Sequence, residues 1–259
     1  MHLHAAFCTH RGSPPGQQDA VLVGTRVHQA MDLEAQVVID HGMLAAIADG
    51  LAVSPRSGRV SRTLLELLPA IVREHPDWLR DDLLANRHLR EAHTRLCDRA
   101  ERSPGLRGGA STLVAAQVRE DRVAILNCGD SRAYLRRADG DIGQLSRDHT
   151  ELQRLRDAGI AGEGVEYASL YDMLTDCIGT DPDDSDFSIH RVEARLAMGD
   201  LLVPCSDGVH DVLAEADWHR ILRASGDPPT LIAATRHAVP RAGAPDNFSV
   251  IALARTTSG

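Results

Sequence analysis

Short apolar stretches alternate with polar turns along most of this chain, and four regions carry apolar residues at helical spacing instead. Ala35 to Ile39 and Met43 to Ala48 read as strands, joined by Asp40-His41-Gly42 as a tight turn. The polar loop Ser54 to Arg59 is built of turn residues. Beyond it, Val60 to Val72 repeats Leu and Ile one helical turn apart. Asp81 to about Ala100 reads as a second helix with an Arg/Asp/Glu-rich outer face. Ser111 to Val118, Arg122 to Cys128 and Arg132 to Arg137 form three strands, turning at Arg119-Glu120-Asp121 and at Gly129-Asp130-Ser131. Connections this short are expected to pair sequential strands antiparallel. A further strand pair is expected near Phe187 to Val192 and Leu201 to Val203. Pro204 removes one ladder donor and predicts an edge or a bulge there. Ala214 to Ala224 and Pro229 to Val239 read as helices, and Phe248 to Ala254 as a closing strand. Helix pairs set between groups of antiparallel strands predict an α+β layered sandwich, with residues 1–259 as a single domain.

Composition narrows the chemistry. The 259 residues carry 28 Lys+Arg against 37 Asp+Glu, a net charge of −9. An acidic chain lacks the basic footprint that general nucleic-acid binding requires. Lysine is absent altogether, which excludes P-loop, kinase-type and Schiff-base chemistry. Aromatics are 3% of the chain, so the core must be aliphatic. The five cysteines never stand at CxxC spacing and predict reduced thiols. No basic or apolar leader opens the chain and no apolar run reaches membrane-spanning length. A cytoplasmic protein with no nucleic-acid or membrane partner is expected.

Candidate chemistry sits at strand ends. Asp49-Gly50 follows the strand ending at Ala48, and the strand Leu201–Val203 runs through Pro204 and Cys205 into Ser206-Asp207-Gly208. Asp130 occupies the turn Gly129–Ser131, and Asp246-Asn247 opens the last strand. Four carboxylates brought together with no interleaved Lys need cations to neutralise them. All-oxygen donors select hard cations such as Mg²⁺ or Mn²⁺. Taken singly, each Asp-Gly is more often a turn, and Asp139-Gly140 is read as a turn only. His2 and His4 are expected to be disordered, His210 to cap or face solvent rather than line the site, and Cys205 to be a small buried hydrophobe.

Ala48-Asp49-Gly50, Ser111-Thr112-Leu113, Cys128 to Tyr134, Asp148-His149, Leu174-Thr175 with Gly179, Ser206-Asp207-Gly208 and Asp246-Asn247-Phe248 occur in that order. From about Thr9 to Ala254 the chain thereby resembles the metal-dependent Ser/Thr protein phosphatase family (type 2C) in its bacterial form. The resemblance implies a four-layer αββα sandwich, two antiparallel sheets flanked by helix pairs. It also implies two Mn²⁺ or Mg²⁺ ions per chain and a third, weaker site. Matched motif by motif, Asp49 bridges two metals and the carbonyl of Gly50 binds one. Asp207 and Asp246 complete the other, and Asp130 with Asp207 holds the third. A metal-bridging hydroxide would then hydrolyse phosphoserine or phosphothreonine. Asn247 orients its neighbours, and Asp19, in Gln17-Gln18-Asp19, acts through metal-held water. Partners would be phosphoprotein substrates and a cognate Ser/Thr kinase or its targets.

Three departures stand out. Pro14 occupies the place, five before Asp19, where the family carries a phosphate-binding Arg, leaving Arg11 as the candidate. Leu51 follows Asp49-Gly50 and cannot donate a proton, and Ala52-Val53-Ser54-Pro55 replaces the usual glycine pair. Thr150 to Met173 corresponds to the family's variable flap, its charges reading as a solvated face. These departures keep a second reading open, a catalytically weak or inactive phosphatase-fold binding module. A metal-dependent phosphodiesterase on another scaffold fits the carboxylates but not the motif order.

Overall fold

Met43–Ala48 is buried at every position, whereas Asp32–Asp40 alternates between exposed and half-buried. The first pattern belongs to a strand covered on both faces and the second to an edge strand. They lie accordingly in different sheets. The computed structural model describes residues 2–40, 42–51, 54–162 and 173–256.

In chain order the elements are β1 (His2–His10), β2 (Ala20–Val23), β3 (Arg26–His28), β4 (Asp32–Asp40), β5 (Met43–Ala48), α1 (Ser57–Glu74) and α2 (Asp82–Arg102). Then come β6 (Ala110–Ser111), β7 (Leu113–Arg119), β8 (Arg122–Cys128), β9 (Arg132–Arg136), β10 (Ile142–Gln144) and α3 (Glu151–Asp157). The chain closes with β11 (Ile178–Gly179), β12 (His190–Arg195), β13 (Leu201–Cys205), α4 (Asp207–His210), α5 (Glu215–Ala224), α6 (Pro228–Arg241) and β14 (Phe248–Thr256). One six-stranded antiparallel sheet runs β10-β9-β13-β14-β1-β4 and the other β12-β8-β7-β5-β2-β3.

Three aliphatic layers hold the stack together. Between the sheets, Ala5, Phe7, Ala45, Ile47, Ala116 and Leu253 pack face to face. On the outer face of the second sheet, Leu64, Leu68 and Ile71 of α1 meet Leu89 and Leu96 of α2 over Leu22 and Ala46. On the first sheet, Trp218 and Leu231 of α5 and α6 cover Val203 and Val250. The expected αββα order is what the chain adopts.

Three connections expected to be hairpins are instead crossings between the sheets. β4 pairs with β1 while β5 pairs with β2 and β7, so Asp40 and Gly42 flank a crossing; His41 lies outside the described residues. β8 pairs with β7 and β12, whereas β9 pairs with β10 and β13, so Gly129-Asp130-Ser131 is an arch. β12 and β13 are likewise partners in different sheets and not of each other. Alternation shows which face a residue presents; it does not show whether a short loop folds back in plane or across a sandwich. Only β7–β8 of the three-strand run is a hairpin, with Arg119 opposite Arg122.

Other expectations are corrected too. Pro204 lies in a central strand in unbroken register with β9, while the ladder to β14 is made at Leu202 and Cys205 on either side of it. His2 and His4 belong to β1, where His4 Nε2 lies 3.0 Å from Gln36 Oε1. The Asp139-Gly140 turn is as read, with Arg137 and Asp141 closing it by a 2.8 Å N–H···O bond. All five cysteines are free. Of the expected flap, Thr150 caps α3, which buries none of its residues. Residues 163–172, and Ala52-Val53 of the altered glycine loop, lie outside the described residues.

Gly129 starts the arch with φ near +99°, and a Cβ there would sit 2.7 Å from Thr112 Cγ2. Gly129→Ala is therefore expected to lose about 2–3 kcal/mol from combined left-handed strain and overpacking. Urea unfolding measures it; a loss near zero would mean the arch relaxes freely.

Candidate metal centre

Strand register gathers the acidic residues. Ala20 pairs with Ala48, so Asp19 entering β2 adjoins Asp49 leaving β5. Ile47 opposite Val114, and Leu113 opposite Cys128, carry that same end through β7 to the close of β8, two residues short of Asp130. In the facing sheet, Cys205 pairs with both Arg132 and Val250. That alignment delivers Asp207 after β13 and Asp246 before β14 to the same end. All five predicted aspartates meet there, drawn from both sheets.

Neutral groups hold them. Asp49 is clamped by Thr112, whose Oγ1 accepts from Asp49 N at 3.2 Å and whose N–H donates to Asp49 O at 2.8 Å. The same hydroxyl lies 2.8 Å from Ser131 Oγ, tying β5 to the arch. His210 Nε2, 3.2 Å from the Asp130 carbonyl, fixes the arch from α4. Ser206 Oγ donates to Asp19 Oδ2 at 2.8 Å and accepts from Ser249 N at 2.9 Å. Buried Asn247 accepts from Gln18 N at 2.6 Å and donates to the carbonyls of Arg11 and Gly16 at 2.5 and 3.0 Å. It thus pins the loop before β2 to the loop before β14. Gly50 lies where α1 begins; a Cβ there would stand 2.6 Å from the Ser57 main chain.

The carboxylates repel one another strongly. Burial, then the charge of Asp207 against the Ser206 hydrogen bond, leaves Asp19 pushed up to about 7. Burial, Asp19 and Asp207 push Asp49 well above the ordinary carboxylate range. Burial followed by Asp207, Asp148 and Asp211 does the same to Asp130. Asp246, exposed at the mouth, is also raised, by burial of its inner side and by Asp207. Asp49 stands between the like charges of Asp207 and Asp19, an arrangement that a proton or a cation among the oxygens would relieve. No three of the five converge within 4.8 Å among the described residues. The set is a chain with Asp49 in the middle, a spacing suited to more than one ion.

Asp19 Oδ1 and Asp207 Oδ1 are buried with no hydrogen-bond donor. A buried carboxylate oxygen without a partner costs on the order of 1–3 kcal/mol or more. Acceptor-only oxygens, no intervening guanidinium and two orphaned lone-pair sites fit hard divalent cations.

Some contributors were given no role in the sequence reading. Arg132 donates from Nε and Nη2 to Asp148 at 2.6–3.1 Å, and Gln144 Nε2 adds a 3.0 Å bond. Its charge is spent on Asp148, so it does not neutralise the cluster. The Arg132 and Asp148 motifs flagged these positions, but nothing in one dimension pairs residues sixteen apart. Ser206 and Thr112 belong to the same class. His210, expected to cap or face solvent, instead buries its side chain against the arch. Arg11 is exposed beside the site, with no side-chain partner among the described residues, while its main chain bonds Met31 and Asn247. Leu51 is held by Ala110 O through its N–H.

A family model for protein phosphatase 2C matches residues 17–230. The serine/threonine protein phosphatase PstP of Mycobacterium tuberculosis is 30% identical over 218 residues, 80% of this chain and 39% of its own. The chain thus spans about two fifths of that relative's length. The serine/threonine phosphatase stp of Listeria innocua is 26% identical across 86% of this chain and 84% of its own. Among solved structures, that of M. tuberculosis PstP superposes with a TM-score of 0.79 at 21% identity, covering 99% of this chain and 100% of its own. A PstP catalytic domain in complex with two manganese ions superposes at 0.72 with 23% identity, covering 98% and 99%. At these identities the structural likeness speaks to the fold. No described helix is long and apolar enough to cross a membrane.

Proposed function

Because the chain belongs to the protein phosphatase 2C family, we propose that it is a Mn²⁺- or Mg²⁺-dependent phosphatase of phosphoserine and phosphothreonine proteins, residues 1–259 forming one catalytic domain. The observation that carries this reading is the unneutralised chain of carboxylates, with partnerless oxygens on Asp19 and Asp207. Two bound ions would supply Lewis-acid polarisation of a phosphoryl group and make water a competent nucleophile near neutral pH.

Asp49, the Gly50 carbonyl, Asp207 and Asp246 would hold the two ions, and Asp130 with Asp207 would hold a third, weaker one. Ser206 holds Asp19 through Oδ2 and leaves Oδ1 free to orient water, in a carboxyl that feels the charge of Asp207. Asn247 keeps the two ligand-bearing loops at fixed separation. Leu51 brings no proton to the leaving alkoxide, so that proton must come from solvent at the centre. Substrates are phosphoproteins, and the natural opponent is a Ser/Thr kinase or its targets.

Hydrolysis of a phosphothreonine peptide and an aryl phosphate, with and without Mn²⁺, tests the reading. Turnover that requires the cation supports it. Failure on both substrates in millimolar-range Mn²⁺ would leave a binding module on a phosphatase fold.

Arg11 is the remaining candidate for a phosphate clamp, since a guanidinium offers two parallel donors. Its side chain is exposed and has no partner among the described residues, which supports only a loose role. Arg11→Ala is expected to lower kcat/KM by less than about tenfold, or ~1.4 kcal/mol. A hundredfold loss at unchanged Mn²⁺ affinity would instead make Arg11 the clamp.

A further inference from the structure

His75 follows the last residue of α1, and His88 and Glu91 lie three apart on the facing side of α2. The two imidazoles stack at 4.1 Å between centroids, 23° from parallel. Glu91 Oε2 is 3.1 Å from His88 Nδ1 and 3.7 Å from His75 Nε2. Among the described residues, this is the one group of His, Cys, Asp and Glu whose donor atoms all lie within 4.8 Å of one another.

We propose that His75, His88 and Glu91 form a transition-metal site of Zn²⁺ type, separate from the carboxylate centre. A tetrahedral ion with ligands at about 2.0–2.2 Å separates its donors by about 3.3 Å. The two distances to Glu91 Oε2 bracket that value, and half-exposed His75 would turn out of the stack to aim its in-plane lone pair at the ion. The 3.7 Å contact is too long for a hydrogen bond, so His75 Nε2 is tied to the carboxylate by charge alone.

The surroundings are set for a cation. Arg95 holds the other oxygen of Glu91 and donates to Glu74 Oε2 at 2.7 Å, which fixes the carboxylate with Oε2 towards the rings. Orienting contacts of this kind are what hold metal ligands in place. The His88 side chain is 7% exposed and that of His75 42%, so one side is sealed and the other open for entry and a fourth, water ligand.

Donor chemistry separates the two centres. Two nitrogens and one oxygen favour Zn²⁺, with Ni²⁺ and Cu²⁺ as alternatives, and bind Mn²⁺ most weakly in the divalent series. Distance separates them as well. α1 starts against Gly50, and its 18 residues at about 1.5 Å each put His75 roughly 27 Å along the axis. Zn²⁺ at this point would clip the end of α1 to α2, the helix pair covering the second sheet.

The test is calorimetric titration of Zn²⁺ into untagged protein already saturated with Mn²⁺, with Co²⁺ absorption as a second readout of nitrogen coordination. Wild-type protein is expected to bind one more equivalent of Zn²⁺ than His75→Ala or Glu91→Gln. Loss of one ligand should weaken that equivalent by about a hundredfold or more. Zn²⁺ should also raise the unfolding midpoint of wild type and not of either variant. His75 is exposed, so its replacement leaves the fold intact, and Glu91→Gln preserves shape. Identical Zn²⁺ stoichiometry and affinity in all three proteins would overturn the proposal, as would a Co²⁺ spectrum unchanged by either substitution.

Discussion

Asp207→Asn is expected to lower kcat/KM on the order of a thousandfold, ~4 kcal/mol of transition-state stabilisation, while leaving the fold intact. Asp207 is the one charge that bears on Asp19, Asp49, Asp130 and Asp246 alike. Its Oδ1 has no donor, and its place at the start of α4 involves no core packing. An amide in its place keeps the shape and removes the charge on which cation affinity depends. The same substitution relieves like-charge repulsion, so the metal-free variant should unfold at a higher temperature than metal-free wild type. Asp139→Asn, in the turn after β9, is the control and should change nothing. Near-wild-type turnover by Asp207→Asn at saturating Mn²⁺ would refute the role given to it.

Removing divalent cations with a chelator should abolish turnover and leave a protein whose stability falls as pH rises. Folding raises Asp19 from its ordinary 3.8 to about 7. Between those values the folded chain holds a proton that the unfolded chain has released, so stability is highest at the acidic end and declines upward through that window. For Asp19 alone the difference amounts to on the order of 4 kcal/mol once both states are ionised. Asp49 and Asp130 shift the same way and steepen the decline. Cation binding requires the deprotonated carboxylates, so added Mn²⁺ should stabilise more at about pH 8 than at about pH 5. Thermal unfolding across that range, with and without Mn²⁺, measures both slopes. A metal-free midpoint independent of pH would mean the carboxylates are not electrostatically strained.

The acidic centre was legible because each ligand candidate stands at a strand end beside Gly or Asn, and strand ends can be read from alternation. Family motifs then supplied an order that no single Asp-Gly could. The arches were not legible. Asp40–Gly42 and Gly129–Ser131 carry the same residue types as hairpin turns, and only the partners of β4, β5, β8 and β9 tell the two apart. Pro204 was misread for the same reason, since a central strand tolerates one missing donor where its ladder is made on either side. His2 and His4 looked terminal, yet β1 pairs along its whole length with both β4 and β14. Contacts such as Ser206 with Asp19, 187 residues apart, have no counterpart in local pattern.

The arch at Asp130 has a consequence for the whole sandwich. Asp19 and Asp49 ride on one sheet and Asp207 and Asp246 on the other, so the gap across the cluster is set by the thickness of the hydrocarbon between the sheets. Ala5, Ala45, Ala116 and Ala133 occupy that layer, and their methyl groups act as shims. Close-packed interiors pass a change of one methylene on to their surroundings. Ion affinity is thereby gauged by side chains that never touch an ion, and the interior of the sandwich is as much a part of the centre's tolerance as its ligands.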